Sequence, residues 1–193
     1  MKLGRFPENA DKRSVRKILS PARDKIITAI RQFVPEQAYT IRVFVQDALN
    51  ELYASQASPA GISSSLAIPE DIEEPAVALL MEQLLDAVQP EDVPVTNASV
   101  TTLPGLETPI LQIVATGSLQ QEDGAYIDQT EEVLLAGPVA LGGSVMLALQ
   151  KEEELLQRFS AHFVKRAEAF LQQISVKKAA ASAISKAKYM VSL

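Results

Sequence analysis

The stretch VTNASVTTLPGLETPILQIVATGSL, residues 95–119, decides the fold class. It is rich in Thr, Val and Ile, whose β-branched side chains favour extended backbone. The tripeptide Leu103-Pro104-Gly105 interrupts it with residues typical of a turn. The pattern predicts three strands, at 95–103, 110–119 and 126–136. We therefore expect a small antiparallel sheet within about residues 95–136.

On both sides of this stretch the apolar residues recur at helical spacing. The spacing predicts helices at 21–34, 75–88 and 152–174, with a shorter basic helix at 11–20. Residues 41–53 also favour a helix, although a strand over 39–45 is an alternative because that segment is β-branched and aromatic. The expected fold is α+β and helix-rich, with the small antiparallel sheet between N-terminal helices and a long C-terminal amphipathic helix.

The long C-terminal helix has the strongest apolar stripe in the chain. Four of its large side chains are expected to be largely buried, either within the fold or between subunits. They are Leu156, Phe159, Phe163 and Phe170.

Composition divides the chain into four segments. Residues 1–53 form a basic, helical N-terminal segment, and residues 54–68 form a Ser- and Ala-rich connector. Residues 69–174 form an acidic α+β body, and residues 175–193 form a basic arm. With 193 residues the chain can bury a sizeable core, and it has no cysteine with which to form a disulfide.

Charge is segregated along the chain. Residues 1–31 hold nine Lys or Arg against three Asp or Glu, and residues 151–193 hold eight against four. Between them, residues 32–150 hold a single basic residue, Arg42, against seventeen acids. Two basic ends therefore flank an acidic middle, and such a middle disfavours nucleic acid binding by like-charge repulsion.

The nearest approach to a catalytic motif is GPVALGGS, residues 137–144. Gly137 and Gly142 have the spacing of a phosphate-binding P-loop, and Ser144 stands at its Ser/Thr position. Gly143, however, occupies the place of the lysine that offsets phosphate charge. The sequence therefore predicts a Gly-Pro turn and a helix capped by Ser144, and it does not predict a nucleotide site.

Other chemistry is sparse in the sequence. His162 is the only histidine, and no neighbouring residues supply the spacing of a metal site or a catalytic pair. No G-x-S-x-G elbow occurs. We therefore predict a protein that is not an enzyme and that has no cofactor and no metal. No uncharged apolar run is long enough to predict a membrane-spanning helix.

The charge layout suggests how copies of the chain could assemble. In a closed ring, the basic end of one subunit can dock on the acidic body of the next. The sequence predicts a structural subunit of a homo-oligomer, most sharply a phage neck or tail ring component such as a head–tail connector or terminator. The alternatives are a regulatory module that contacts nucleic acid or an acidic protein through its N-terminal helix, and a peripheral membrane protein.

The expected partners follow from this prediction. They are other copies of the chain and neighbouring structural proteins, with DNA only as passing cargo, no small-molecule substrate and no membrane. The expected location is the virion or the cytoplasm. The expected contact residues lie in the two basic ends: Lys12, Arg13, Arg16, Lys17, Lys177, Lys178, Ile184, Lys186, Lys188 and Tyr189.

Overall fold

The structure of the protein is a computed structural model that describes residues 25–119, 140–183 and 190. These residues form one four-stranded sheet and six α-helices. In chain order the elements are β1 (Lys25–Phe33), α1 (Ala38–Ala54), β2 (Ala57–Ile68), α2 (Glu74–Val88), β3 (Val95–Thr102), β4 (Ile110–Leu119), α3 (Leu141–Gln150), α4 (Glu152–Leu156), α5 (Ala161–Ala169) and α6 (Lys177–Ala183). The predicted helix at 11–20 and the predicted strand at 126–136 lie outside the described residues.

The sheet is mixed, and the predicted antiparallel sheet is wrong. Its strand order is β1-β4-β2-β3. Strand β4 runs antiparallel to β1 and β2, whereas β2 and β3 are parallel. The strands β3 and β4 do form where the sequence predicts them, but they do not pair as a hairpin because β2 lies between them. The turn at Gly105, which has a φ of 77°, therefore joins two strands that are not neighbours.

Strand β1 replaces most of the helix predicted at 21–34. Its residues pair with β4 along their whole length, from Lys25 opposite Leu119 to Phe33 opposite Leu111. Burial alternates along it, with Ala29 and Phe33 in the core and Ile30 exposed. The apolar residues of this segment fit a helical stripe as well as a strand, and the long pairing with β4 decides in favour of the strand.

Strand β2 replaces the predicted Ser- and Ala-rich connector. It lies in the interior of the sheet, hydrogen-bonded to β4 on one side and to β3 on the other. Its apolar residues Ile62, Leu66 and Ile68 alternate with small residues and point into the core. The small residues also permit close strand contacts: a Cβ on Gly61 would lie 2.4 Å from Thr96 Cγ2.

Helix α1 is the centre of the core, and eleven of its 17 residues are buried. It packs against β1, β2 and β4 on one side, and α2, α3 and α6 contact its other sides. Its fully buried residues Ile41, Leu49 and Leu52 meet Leu84 of α2 and Ile113 of β4 in one apolar cluster. The helix at 41–53 is thus confirmed, and its surroundings on several sides explain why its polar residues are also buried.

No long C-terminal helix is present in residues 140–183, so that prediction is wrong. The segment is divided among the short helices α3 to α6. The chain breaks at Lys151, whose φ of −122° is not helical, and again before Ser160. The Ser160 hydroxyl accepts a hydrogen bond from Phe163 N at 3.3 Å, so Ser160 begins a new helix as an N-cap.

The break changes the environment of the predicted core residues. Phe159 is 47% exposed and Phe163 is 58% exposed, and their rings stack on each other with centroids 5.2 Å apart. Leu156 is also exposed, and Phe170 is partly buried. The prediction that these side chains are largely buried within the fold is wrong, because the continuous helix that would align them does not form.

Candidate functional site

A cleft of about 440 Å³ lies between helix α1, the beginning of helix α3 and the segment that precedes α6. Helix α1 contributes Val43, Phe44, Asp47 and Asn50 to its lining. The opposite side is lined by Ala140, Leu141, Gly142, Gly143, Met146, Gln173, Ile174, Ser175, Val176 and Ala179. The cleft volume falls within the range of about 300–1,000 Å³ that is typical of small-molecule sites.

Aromatic stacking fixes the α1 wall of the cleft. The Phe44 ring stacks on Phe33 of strand β1, with centroids 4.3 Å apart and ring planes 11° from parallel. Because Phe33 is buried in the core, it holds Phe44 against the sheet. Together with Val43, this ring gives the cleft a rigid apolar surface.

The beginning of α3 brings backbone groups to the cleft. The N-cap residue is Ala140, whose φ of 58° lies in the left-handed region that non-glycine residues seldom adopt. Ser144, predicted as the cap, lies inside the helix, where its hydroxyl donates to the Ala140 carbonyl at 2.9 Å. A Cβ on Gly143 would have no neighbouring atom within 4 Å, so a ligand can approach the backbone there.

Arg31 of β1 supports the acidic side of the cleft. Its guanidinium forms ion pairs with Asp47, through Nε, and with Glu51, whose Oε2 is 2.9 Å from Nη2. Burial lowers the pKa of Arg31, but the hydrogen bonds and charges of the two carboxylates outweigh burial and leave the pKa above its ordinary value. Asp47 keeps 44% of its side chain exposed. It is the carboxylate that lines the cleft among the described residues.

Polar side chains of α1 hold the other wall. Asn50 Nδ2 donates to the Ile174 carbonyl at 2.7 Å, and its Oδ1 accepts from Val176 N at 2.9 Å. Gln46 Nε2 donates to Ser175 Oγ at 3.2 Å. Sequence reasoning missed Asn50 and Gln46. The available signal was that two amides spaced four residues apart lie on one face of a helix.

Beside the cleft, Lys177 docks on the body of its own chain. Its ammonium lies 3.9 Å from Glu91 Oε2 and 5.7 Å from the centroid of the Tyr53 ring. The Tyr53 hydroxyl donates to the same Glu91 oxygen at 3.0 Å. Burial, and then the charge and hydrogen bond of Glu91, raise the pKa of Tyr53 well above its ordinary value.

The structure describes two of the ten predicted contact residues. Lys177 makes the contacts just given, and Lys178 is exposed on α6. The other eight, which are Lys12, Arg13, Arg16, Lys17, Ile184, Lys186, Lys188 and Tyr189, lie outside the described residues. The contact role of the basic ends stays a prediction.

The described residues contain no group of three or more His, Cys, Asp or Glu side chains that could hold a metal ion. None of the helices described has the length and apolar character needed to cross a membrane.

Comparison with solved structures identifies the fold. The chain superposes on AaThiL complexed with AMPPCP and TMP with a TM-score of 0.58, at 13% identity, over 95% of this chain and 64% of that one. Thiamine monophosphate kinase from Aquifex aeolicus gives a TM-score of 0.57, at 15% identity, over 92% and 64%. Escherichia coli HypE gives 0.52, at 11% identity, over 79% and 48%.

The likeness has clear bounds. No family model matches the sequence, and no curated protein does. The chain spans 64% of the length of the thiamine monophosphate kinase chains and less than half of the HypE chains. At these identities the likeness shows the fold alone.

The fold nevertheless corrects the functional prediction. It is the fold of the solved thiamine monophosphate kinase and Escherichia coli HypE structures, and it contradicts the prediction of a phage neck or tail ring component. The prediction of a non-enzymatic assembly subunit of a phage neck or tail is wrong. The prediction drawn from the charge layout is wrong because net charge bears on solubility and association and carries no information about the fold.

Proposed function

We propose that this chain is the ATP-binding domain of an ATP-dependent enzyme, and that ATP occupies the cleft between α1 and α3. The observation that carries the proposal is the superposition of 95% of the chain on AaThiL complexed with the ATP analogue AMPPCP. A shared fold does not by itself establish a shared activity, so the chemistry of the cleft must support the same conclusion.

The walls of the cleft suit a nucleoside. Val43, Phe44 and Met146 provide apolar surface, and Asn50 and Ser175 place amide and hydroxyl groups beside it. Ligand sites commonly combine a mostly apolar lining with a few polar groups that fix orientation. A base can therefore lie against the Phe44 side while polar atoms contact the sugar.

The beginning of α3 suits phosphate. The first backbone N–H groups of a helix have no intrahelical acceptor, and the helix dipole favours negative charge at this end. Gly142 and Gly143 line the cleft here, and the open space at Gly143 lets phosphate oxygens approach the backbone.

Charge sets a condition on the bound form of ATP. No Lys or Arg lines the cleft in the described part of the chain, whereas Asp47 does. Helix N–H groups carry only partial charge, so they do not neutralise a triphosphate by themselves. Mg²⁺ binds in proteins through one or two carboxylates together with substrate phosphates. We therefore expect ATP to enter with its magnesium ion, with Asp47 facing the metal.

The test is calorimetric titration of the full chain with AMPPCP, with Mg²⁺ present and after its removal by EDTA. Binding in magnesium and its loss in EDTA are expected. Gly143→Leu should weaken binding by at least about tenfold, because a Cβ at Gly143 meets no atom within 4 Å and the leucine side chain would occupy space at the cleft that the ligand needs. Ala161→Leu, an exposed helical position outside the cleft, is the matched control. Equal affinities for the Gly143→Leu variant and the wild type would place ATP elsewhere.

A further inference from the structure

The segment from Gln172 to Ala183, here called the strap, forms one wall of the cleft and then continues into α6. Its polar attachments to α1 lie on a single stripe of that helix. Arg42 Nη2 donates to Gln172 Oε1 at 3.2 Å, Gln46 contacts Ser175, and Asn50 contacts the backbone on both sides of Ser175. These three residues of α1 are spaced four apart, so they lie on one helical face.

Asn50 is the centre of this attachment. It is 7% exposed, and its single amide group satisfies the Ile174 carbonyl and the Val176 N–H together. A neighbouring β-strand would satisfy these two backbone groups in the same way, but here a single side chain does so. Gln46 Nε2 donates to Asn50 Oδ1 at 3.1 Å and fixes the orientation of the amide. Because Asn50 supplies both a donor and an acceptor, neither an aliphatic nor an anionic side chain can replace it.

Apolar packing adds little to hold the strap. Of its side chains, Val176 and Ala180 pack against the core cluster, and both remain partly exposed. Segments with few buried apolar contacts open locally at a small fraction of the global unfolding free energy. The hydrogen bonds of Asn50, together with the contacts of Lys177 with Glu91 and Tyr53, therefore hold the wall in place.

We propose that Asn50 is a positioning residue for the ligand, which acts by clamping the strap as the second wall of the cleft. The proposal rests on the proposed function, since the ligand is the ATP complex placed in this cleft. A ligand that touches both walls binds the clamped form better, so the clamp raises affinity and the ligand in turn stabilises the clamp. Asn50 acts through Ile174 and Val176, which themselves line the cleft.

The test measures hydrogen exchange and AMPPCP affinity on the same variants of the full chain. Asn50→Ala should speed amide exchange in residues 174–180 by about tenfold and weaken AMPPCP binding by a similar factor, while exchange in α2 stays unchanged. Asn97→Ala, an exposed position on β3, is the control for loss of an asparagine. In the wild type, Mg²⁺ with AMPPCP should slow exchange in the strap.

Asn50→Asp separates clamping from general stability. Aspartate keeps the acceptor for Val176 N–H but cannot donate to the Ile174 carbonyl. In Asn50→Asp the Val176 amide should therefore stay protected from hydrogen exchange, while the affinity for AMPPCP is low. A protein that is merely destabilised would lose both the protection and the affinity. If either Asn50 variant fails to fold, Arg42→Ala removes the Gln172 contact, which lies outside the cleft lining, and should produce a smaller change in the same direction in both measurements.

The outcomes distinguish the two proposals. Two results would overturn the positioning role and leave ATP binding intact. The first is hydrogen exchange in the strap that is unchanged in Asn50→Ala. The second is faster exchange in the strap with an undiminished affinity for AMPPCP. Failure of the wild type to bind AMPPCP in magnesium overturns the proposed function, and the positioning role falls with it.

Discussion

Gly117→Ala tests the closest backbone approach in the sheet. Gly117 lies in β4, between Ile27 of β1 and Pro59 of β2, where an irregularity in β2 shifts the register. A Cβ at Gly117 would lie 2.8 Å from the Ser58 carbonyl oxygen and 3.2 Å from Ala57 Cβ. The first of these distances is shorter than real Cβ atoms tolerate, and the partner is backbone in a paired strand, so the strands must separate locally.

The magnitude follows from two opposing effects. Overpacking of this kind costs about 1–3 kcal/mol. Replacing glycine by alanine also restricts the unfolded chain, which returns about 0.4–1 kcal/mol. We expect a net loss of about 1–2 kcal/mol, which for a chain of this size lowers Tm by roughly 2–8 °C.

The assay is urea unfolding followed by circular dichroism, with Gly143→Ala as the matched control. At Gly143 the new Cβ meets no atom within 4 Å, and the position is helical, so about 0.5–1 kcal/mol of stabilisation is expected. A Gly117→Ala protein as stable as the wild type, with an unchanged m-value, would refute the claim that β2 and β4 approach this closely.

Three further outcomes are expected. Leu52→Ala should lower the free energy of unfolding in urea by about 2–5 kcal/mol, because Leu52 is fully buried. Leu147→Ala, at a position 54% exposed, should change it by less than about 0.5 kcal/mol. Similar losses in the two variants would contradict the assignment of Leu52 to the core. Phe163→Ala should lower the free energy of unfolding by no more than about 1.5 kcal/mol, since only the stacking of Phe163 with Phe159 is lost. A loss of about 3–5 kcal/mol, which is typical of a buried phenylalanine, would show that the ring is covered. The folded pKa of Tyr53 is raised, so its contribution to stability is complete below the unfolded pKa of about 10 and is lost as pH rises through the folded value. Tyr53→Phe should therefore flatten the decline of stability above pH 10, and an identical alkaline profile would count against the Glu91 contact.

The parts of the fold that could be predicted are those in which local pattern and tertiary environment agree. The strands β3 and β4 and the helix α2 stand where the sequence places them. In each, the residues favour one backbone conformation. Burial follows the expected face in β4 and α2, whereas β3 is an exposed strand held by its pairing with β2. The turn after β3 was also correct as a turn, but a turn does not specify which strand lies beside which.

The elements that were predicted wrongly depend on partners that are distant along the chain. The apolar residues of β1 satisfy a helical stripe, and only their pairing with β4 makes them a strand. In β2 the abundance of Ser and Ala suggested a connector, although Ile62, Leu66 and Ile68 already alternate as strand residues do. In this strand the alternating period is a better indicator of structure than the Ser and Ala composition.

The cleft could not be predicted from the sequence for a similar reason. Helix α1 and the strap are separated along the chain by more than a hundred residues, as the bond from Asn50 to Ile174 shows with a separation of 124. The spacing of Arg42, Gln46 and Asn50 was visible, but it indicates a polar stripe and does not identify what that stripe contacts. Gly142 and Gly143 do not match a P-loop because the lysine is missing, and the sequence does not indicate that α1 lies opposite them.

The interior position of β2 sets the order in which the protein can fold during synthesis. Strand β1 leaves the ribosome first, yet its partner is β4, and β2 likewise lacks a neighbour until β3 and β4 have been made. At roughly 5–20 residues per second, several seconds pass between the synthesis of β1 and that of Leu119. During this interval the apolar face of α1 has no complete sheet to cover it, so we expect contacts with α2 to shield part of it. Pairing over such long sequence separations also makes sheet formation the slow step when the purified protein refolds.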